Sequence, residues 1–113
     1  MYFKNKRFAL DEIFFALSDP TRRRILELLL EKDLYASQIS KQFACTMPTI
    51  SRHLKVLANC NLISKQKKAQ KIKYTIQVNS LTQAQVWIET LGGASSIDYN
   101  KLEELFSTLQ YHS

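Results

Sequence analysis

The chain has 113 residues, 45% of them hydrophobic, with only two cysteines, two prolines and two glycines. That suits one compact domain with short appendages, is too few cysteines for a disulfide framework, and includes neither a secretion signal nor an 18-residue apolar run, so a cytoplasmic protein with no membrane partner is expected. The formal net charge is +6, yet the 55 residues from Leu34 to Ile88 hold no Asp or Glu and eight cations (Lys41, Arg52, Lys55, Lys65, Lys67, Lys68, Lys71 and Lys73), which leaves the remainder at net minus two. A positive field concentrated in this way steers a polyanionic partner.

Along the chain, Leu10, Ile13, Phe14 and Leu17 recur at helical spacing, while Phe8 and Phe15 fall on the opposite side of the same helix. One face can pack on the chain's own core. The other suits a second subunit, or the chain's own tail wrapped over it. Asp19 followed by Pro20 starts a second helix that runs to about Glu31, and Ile25, Leu26, Leu28, Leu29 and Leu30 nearly encircle it, the mark of a buried central helix. Leu34 to Ala36 suits a short edge strand, and Ser37 to Phe43 a short helix buried through Ile39 and Phe43. The next helix opens at once, with Thr46 as N-cap, Pro48 in the first turn and Met47, Ile50, Leu54 and Leu57 on one face.

Asn61 stands where that helix would end in left-handed geometry, which Asn tolerates. Ile63 to Lys68 and Gln70 to Val78 have strand character and make a basic hairpin; in the second, Ile72, Tyr74, Ile76 and Val78 alternate with Lys71, Lys73, Thr75 and Gln77. Ser80 with Gln83 reads as a capping box opening a helix striped by Leu81, Ala84, Ile88 and Leu91, with Trp87 at its edge. The run Gly92 to Ser96 breaks it, and Asp98 can cap a last helix carrying Leu102, Leu105, Phe106 and Leu109. Two units follow: residues 1–91, which hold these helices and the basic hairpin, and 92–113, a hinge with a helical extension.

Two short helices joined by a tight turn and followed by a basic hairpin give the order of a winged helix-turn-helix, mainly α with a small β-hairpin. With Ile50 at the centre of the buried face, 100° per residue sets Pro48, Arg52, Lys55 and Asn59 opposite, with Thr49 and Ser51 on the flanks. Arg pairs with guanine, Asn with adenine, and Ser and Thr with bases or phosphates. Thr46, Met47, Pro48, Thr49, Ser51 and Arg52 are therefore the expected readers of sequence, and Lys55 a phosphate contact. His53, about 60° from the apolar centre, is equally open to a base contact and to a packed or hydrogen-bonded role. In the hairpin, Lys67, Lys68 and Lys71 are placed to reach an adjacent phosphate or minor groove. Of Arg22, Arg23 and Arg24, solvated or ion-paired roles are favoured over a backbone contact.

The run Ala16-Leu17-Ser18-Asp19-Pro20-Thr21-Arg22, then Ile25-Leu26, then Pro48 to Leu57, then Leu62-Ile63 and the hairpin ending in Tyr74 resembles the ArsR-type winged-helix transcriptional repressors over about Phe8 to Leu91. The resemblance implies a homodimeric repressor of double-stranded DNA, its interface formed by the first and fifth helices. On those helices Phe8, Phe15, Leu81, Ala84, Trp87, Ile88 and Leu91 are the candidates. Metal-sensing members carry Cys-x-Cys where this chain has Tyr35 and Ser37, and others use Asp and His of the fifth helix, which Leu81 to Leu91 lacks, so no metal or other cofactor is expected. The resemblance is nearer to the non-metal, autorepressor-like branch, with an effector or signalling protein unidentified.

Cys45 and Cys60 lie about 22 Å apart along the recognition helix, beyond disulfide reach, and are read as packing residues. The family has Gly at the wing tip where this chain has Ala69, which suggests a longer, looser loop there. A repressor occluding a promoter with an inverted repeat is the favoured function. The competing one is a winged helix that docks an acidic partner protein. No nucleophile-base pair, carboxylate cluster or phosphate-cradling Gly loop supports an enzyme.

Overall fold

The computed structural model describes residues 2–92 and Ser107, with side chains described from residue 9 onward. The expected hinge and last helix, and the side chain of Phe8, fall outside that range, apart from Ser107, whose backbone is helical. The elements run α1 (Tyr2–Leu17), α2 (Pro20–Glu31), β1 (Leu34–Tyr35), α3 (Ala36–Ser40), α4 (Met47–Asn59), β2 (Ile63–Lys68), β3 (Lys71–Ile76), a 3-10 turn (Val78–Leu81) and α5 (Thr82–Gly92). The strands form an antiparallel sheet in the order β1-β3-β2. Among the described residues no helix is long and apolar enough to cross a membrane.

Each helix is fixed by a local device followed by burial of one stripe. Asp19 sits at the N-cap of α2 in extended geometry and its carboxylate accepts the Arg22 amide at 3.0 Å, while Pro20 fills the first turn, where no donor is needed. At the far end of α4, Asn61 adopts φ 62°, the Leu62 amide bonds the Leu57 carbonyl at 3.0 Å, and the Asn61 amide bonds that of Ala58 at 3.1 Å. This is a Schellman cap, completed by apolar Leu57 and Leu62, both buried. The core then gathers Ile13 and Ala16 from α1, Ile25 and Leu29 from α2, Ile39 from α3, Ile50, Leu54 and Leu57 from α4, Leu62 from the cap that follows it, and Ile63 and Tyr74 from the sheet.

Three expectations are revised. Leu30 is 55% exposed, so α2 is not encircled by its partners: a third layer would be needed to cover that side, and none of the described elements supplies it. Ser80 does not open α5 as a capping box; its hydroxyl donates instead to the Asn61 carbonyl, and the chain passes through a 3-10 turn before α5 starts at Thr82. The wing tip is not a long loop. The ladder runs without a break to the pair Lys68 and Lys71, leaving a two-residue turn in which Ala69 takes φ 56°.

The arginine cluster has an unexpected use. Arg22 is 8% exposed: its Nε donates to the Ala16 carbonyl at 2.8 Å, one terminal nitrogen to the Phe15 carbonyl at 3.0 Å, and the other lies 3.1 Å from His53 Nδ1. Arg23 donates to the Leu17 carbonyl at 2.7 Å. The C-terminal carbonyls of α1, which no helical amide can satisfy, thus end on two cations of the next helix. Losing the Arg22 guanidinium would strip partners from groups worth about 1–3 kcal/mol each when buried and unsatisfied. The half-buried Arg24–Glu27 pair, at 3.5 Å and one helical turn apart, is worth only about 0.3–0.5 kcal/mol by comparison.

Two measurements check these devices. Ala69→Gly should raise stability by about 0.5–1 kcal/mol, because left-handed Ala costs more than the extra freedom of Gly in the unfolded chain; it is read as a higher denaturant midpoint at unchanged slope. For Asp19, burial works to raise the carboxyl pKa, but the hydrogen bond from the Arg22 amide, with the Arg22 charge and the Thr21 amide, outweighs it and holds it below its ordinary 3.8. A depressed carboxyl stabilises above the unfolded value and loses that contribution as pH falls through the folded one. The stability difference between the wild type and Asp19→Asn, which keeps a capping side chain, should stay constant above about pH 5, one unit above that ordinary value, and shift against the wild type below it.

Candidate nucleic-acid interface

Helix α4 divides cleanly. Ile50, Leu54 and Leu57 are buried, whereas Thr46, Met47, Pro48, Ser51, Arg52, Lys55 and Asn59 are exposed and Thr49 is half-buried. The expected outward face is therefore present as a continuous surface beginning at the helix N-terminus. Thr46 occupies the N-cap but its side chain does not cap the helix; its hydroxyl lies 3.1 Å from that of Thr49. Among the described residues no carboxylate pairs with Arg52 or Lys55, so their charge stands open to solvent and to a partner.

His53 is the exception among the candidates. Its side chain is 18% exposed and turned from the outer face, with Nδ1 against Arg22 and 3.8 Å from Asp19 Oδ2. Arginine carries only donors, so Nδ1 accepts and the ring proton resides on Nε2. The histidine thereby takes up the hydrogen-bonded role, holding α4 against the junction of α1 and α2. No sequence signal distinguished the two, because the partner is 31 residues away.

The hairpin's lysines are split by register. Residues paired across strands share a face, and neighbours along a strand alternate. Lys65 pairs with buried Tyr74 and Lys67 with Ile72, so these two lie on the face that continues the core side toward α4. Lys68 pairs with Lys71, and Gln66 with Lys73, so Lys68, Lys71 and Lys73 occupy the outer face. The expected trio Lys67, Lys68 and Lys71 thus surrounds the wing tip from both sides. Asn59, expected on the outward face, and Lys65, one of the eight cations of the acid-free stretch, line with Ser51, Lys55 and Tyr74 a groove of about 610 Å³ between α4 and the wing. The alternation of β2 from Ile63 onward carries the signal for Lys65.

A second surface is apolar. Phe15 is 61% exposed, Val86 55%, Trp87 46%, Ile88 54% and Leu91 70%, all on α1 and α5, which pack together. The Phe14 and Trp87 rings meet edge-to-face at 5.5 Å within the chain. Ala84, expected in an interface, is instead buried at 3% in the chain's own core, and Leu81 is half-buried against it. Cys60 is buried with its Sγ 3.5 Å from the Val56 and Leu57 carbonyls, and burial pushes its thiol pKa up. Cys45 is half-buried.

Comparison with known proteins agrees with this arrangement. Residues 19–65 match the bacterial regulatory proteins of the arsR family. The transcriptional repressor SdpR of Bacillus subtilis is 38% identical over 79 residues, spanning 70% of this chain and 88% of that protein. The HTH-type transcriptional regulator CmtR of Mycobacterium tuberculosis is 33% identical over 69 residues, 61% of this chain and 58% of that protein. Among solved structures, an ArsR family transcriptional regulator superposes with a TM-score of 0.72 at 27% identity, covering 81% of this chain and 96% of that one. A homodimeric winged helix-turn-helix DNA-binding domain from Mycobacterium bovis shares the fold, with a TM-score of 0.61 at 22% identity over 74% of this chain and 82% of that one. With a recognition helix and a basic wing on one side, and relatives that are repressors, the chain belongs to the bacterial ArsR family and is a winged helix-turn-helix DNA-binding transcriptional regulator.

Proposed function

We propose that the protein is a homodimeric repressor that lays the outer face of α4 from each subunit into successive major grooves of an imperfect inverted repeat, occluding the promoter that contains it. The observation that carries this reading is the division of α4: the buried face of Ile50, Leu54 and Leu57 fixes the helix, and Ser51, Arg52 and Lys55 are left outward beside a lysine-bearing hairpin. An α-helix fits the major groove, and its N-terminal residues ordinarily meet the bases. Thr46, Met47, Pro48, Thr49, Ser51 and Arg52 are the proposed readers; Lys55, Lys67, Lys68 and Lys71 are the proposed backbone contacts.

Dimerisation is supported by the apolar patch of Phe15, Trp87, Ile88 and Leu91, since a chain of this size rarely leaves such side chains together in water. The homodimer described for the Mycobacterium bovis domain of the same fold agrees with it. Two-fold symmetry then calls for half-site centres roughly 34 Å apart, one turn of DNA, or a multiple of it.

Selection of bound genomic fragments by the purified protein tests the whole reading: an inverted repeat should emerge, and fragments without shared sequence would refute it. On the selected site, Arg52→Ala should weaken binding by about 1–3 kcal/mol while barely changing affinity for random DNA. Equal losses on both would remove Arg52 from the readers. For the interface, Ile88→Glu combined with Leu91→Glu should yield a monomer in sedimentation at concentrations where the wild type is dimeric, with helical content unchanged. A double variant that stays dimeric would move the interface off α5.

A further inference from the structure

The outer face of the wing is not bare. Tyr35, the last residue of β1, pairs with Lys73 across the sheet edge and so projects on the same side as Lys73 and Lys71. The ammonium of Lys71 stands 5.5 Å from the centroid of the Tyr35 ring and that of Lys73 5.9 Å from it, both within the ~6 Å over which an aromatic quadrupole attracts a cation. The ring itself is held from behind. Its backbone is bonded into β3 on one side, and on the other the Tyr35 amide donates to Gln38 Oε1 at 2.8 Å as α3 begins.

Two like charges gathered on one neutral ring repel each other, and among the described residues no carboxylate relieves them. An anion between them would. A free lysine loses rotamer freedom when it meets a phosphate, and a ring that already confines the side chain reduces that loss. The outer face also lies opposite Lys65 and Lys67, which border the α4 side. A ribbon with cations on both faces matches a groove with a phosphate strand on each side.

We propose that Tyr35 is a positioning residue of the DNA interface: its ring holds Lys71 and Lys73 as a clamp for backbone phosphates, so that the wing grips the DNA strand on its outer side as well as the one facing α4. This rests on the reading of α4 and the wing as the DNA surface. Lys73, half-buried beside the ring, joins the contact set on this basis.

The test uses the full chain, a labelled 30-base-pair duplex of random sequence and a salt titration. Replacing both cations, with Lys71→Gln and Lys73→Gln, should lower the log-log salt slope by about 1.8, two contacts at about 0.9 each. Tyr35→Phe, which keeps the ring, should bind within about twofold of the wild type, whereas Tyr35→Leu, which keeps apolar bulk but removes the quadrupole, should bind about 3- to 10-fold more weakly. Adding Tyr35→Leu to the double lysine variant should cost nothing more. Tyr35→Leu binding like Tyr35→Phe, a full additional loss in the triple variant, or an unchanged slope in the double lysine variant would each overturn the clamp. Lys67→Gln on the inner face separates the two levels: if it too leaves the slope unchanged, the reading of the wing as a DNA surface fails along with the clamp.

Discussion

The fold turns on one buried cation. Arg22 projects from the first turn of α2 into the place where α1 stops, and its planar fork reaches two terminal carbonyls of α1 and one ring nitrogen of α4 at once. Three helices are thereby set at fixed positions by a group that cannot lose its charge. Its solvation is replaced by those acceptors and by the face of Phe15, whose ring centroid lies 5.0 Å from the guanidinium carbon. The tight link between α1 and α2, only Ser18 and Asp19 long, follows from the same arrangement: the Ser18 hydroxyl takes the Phe15 carbonyl at 2.6 Å and Asp19 caps α2. Because Phe15 belongs to the exposed patch of α1 while His53 belongs to α4, the guanidinium joins the surface proposed for subunit contact to the back of the helix proposed to read DNA.

Electrostatics divides the molecule differently from hydrophobicity. Its acids lie wholly outside the residues from Leu34 to Ile88, so the sheet and α4 fold with no carboxylate side chain of their own. At the wing tip Lys68 directly opposes Lys71, a pairing that costs stability in isolation. Folding accepts that cost because the buried ends of the same strands, at Ile63 and Tyr74, secure the ladder. What the isolated chain leaves unneutralised is what a polyanion can neutralise, and release of its counterions makes such binding strongly salt-dependent.

Periodicity carried much of this into the sequence. The apolar stripe of α4, its outward residues, Asn61 as a left-handed cap and the edge strand at Leu34 were all legible because each depends on neighbours within a few residues. What was not legible depends on distant contacts. Arg22 reads like Arg23 and Arg24 until the end of α1 is brought beside it, and His53 looks like a member of the reading face until Arg22 is in position. Ser80 has the residue types of a capping box with Gln83, but the Asn61 carbonyl, 19 residues earlier, competes for its hydroxyl and wins. The tight turn at the tip is hidden for another reason: the cost of left-handed Ala69 is about 1 kcal/mol, less than a ladder of six residue pairs can impose.

The cap at the end of α4 does more than stop a helix. Leu62 closes it with its amide, and its carbonyl accepts the Gln77 amide from the end of the hairpin at 2.8 Å, while the Asn61 carbonyl holds Ser80 at the approach to α5. Helix, wing and the following helix therefore meet at two consecutive residues with no flexible linker among them. Such a joint behaves as a fulcrum. A displacement of α5 about that joint would carry α4 and the wing together, so the helix face and the hairpin would move as one body and not independently of each other.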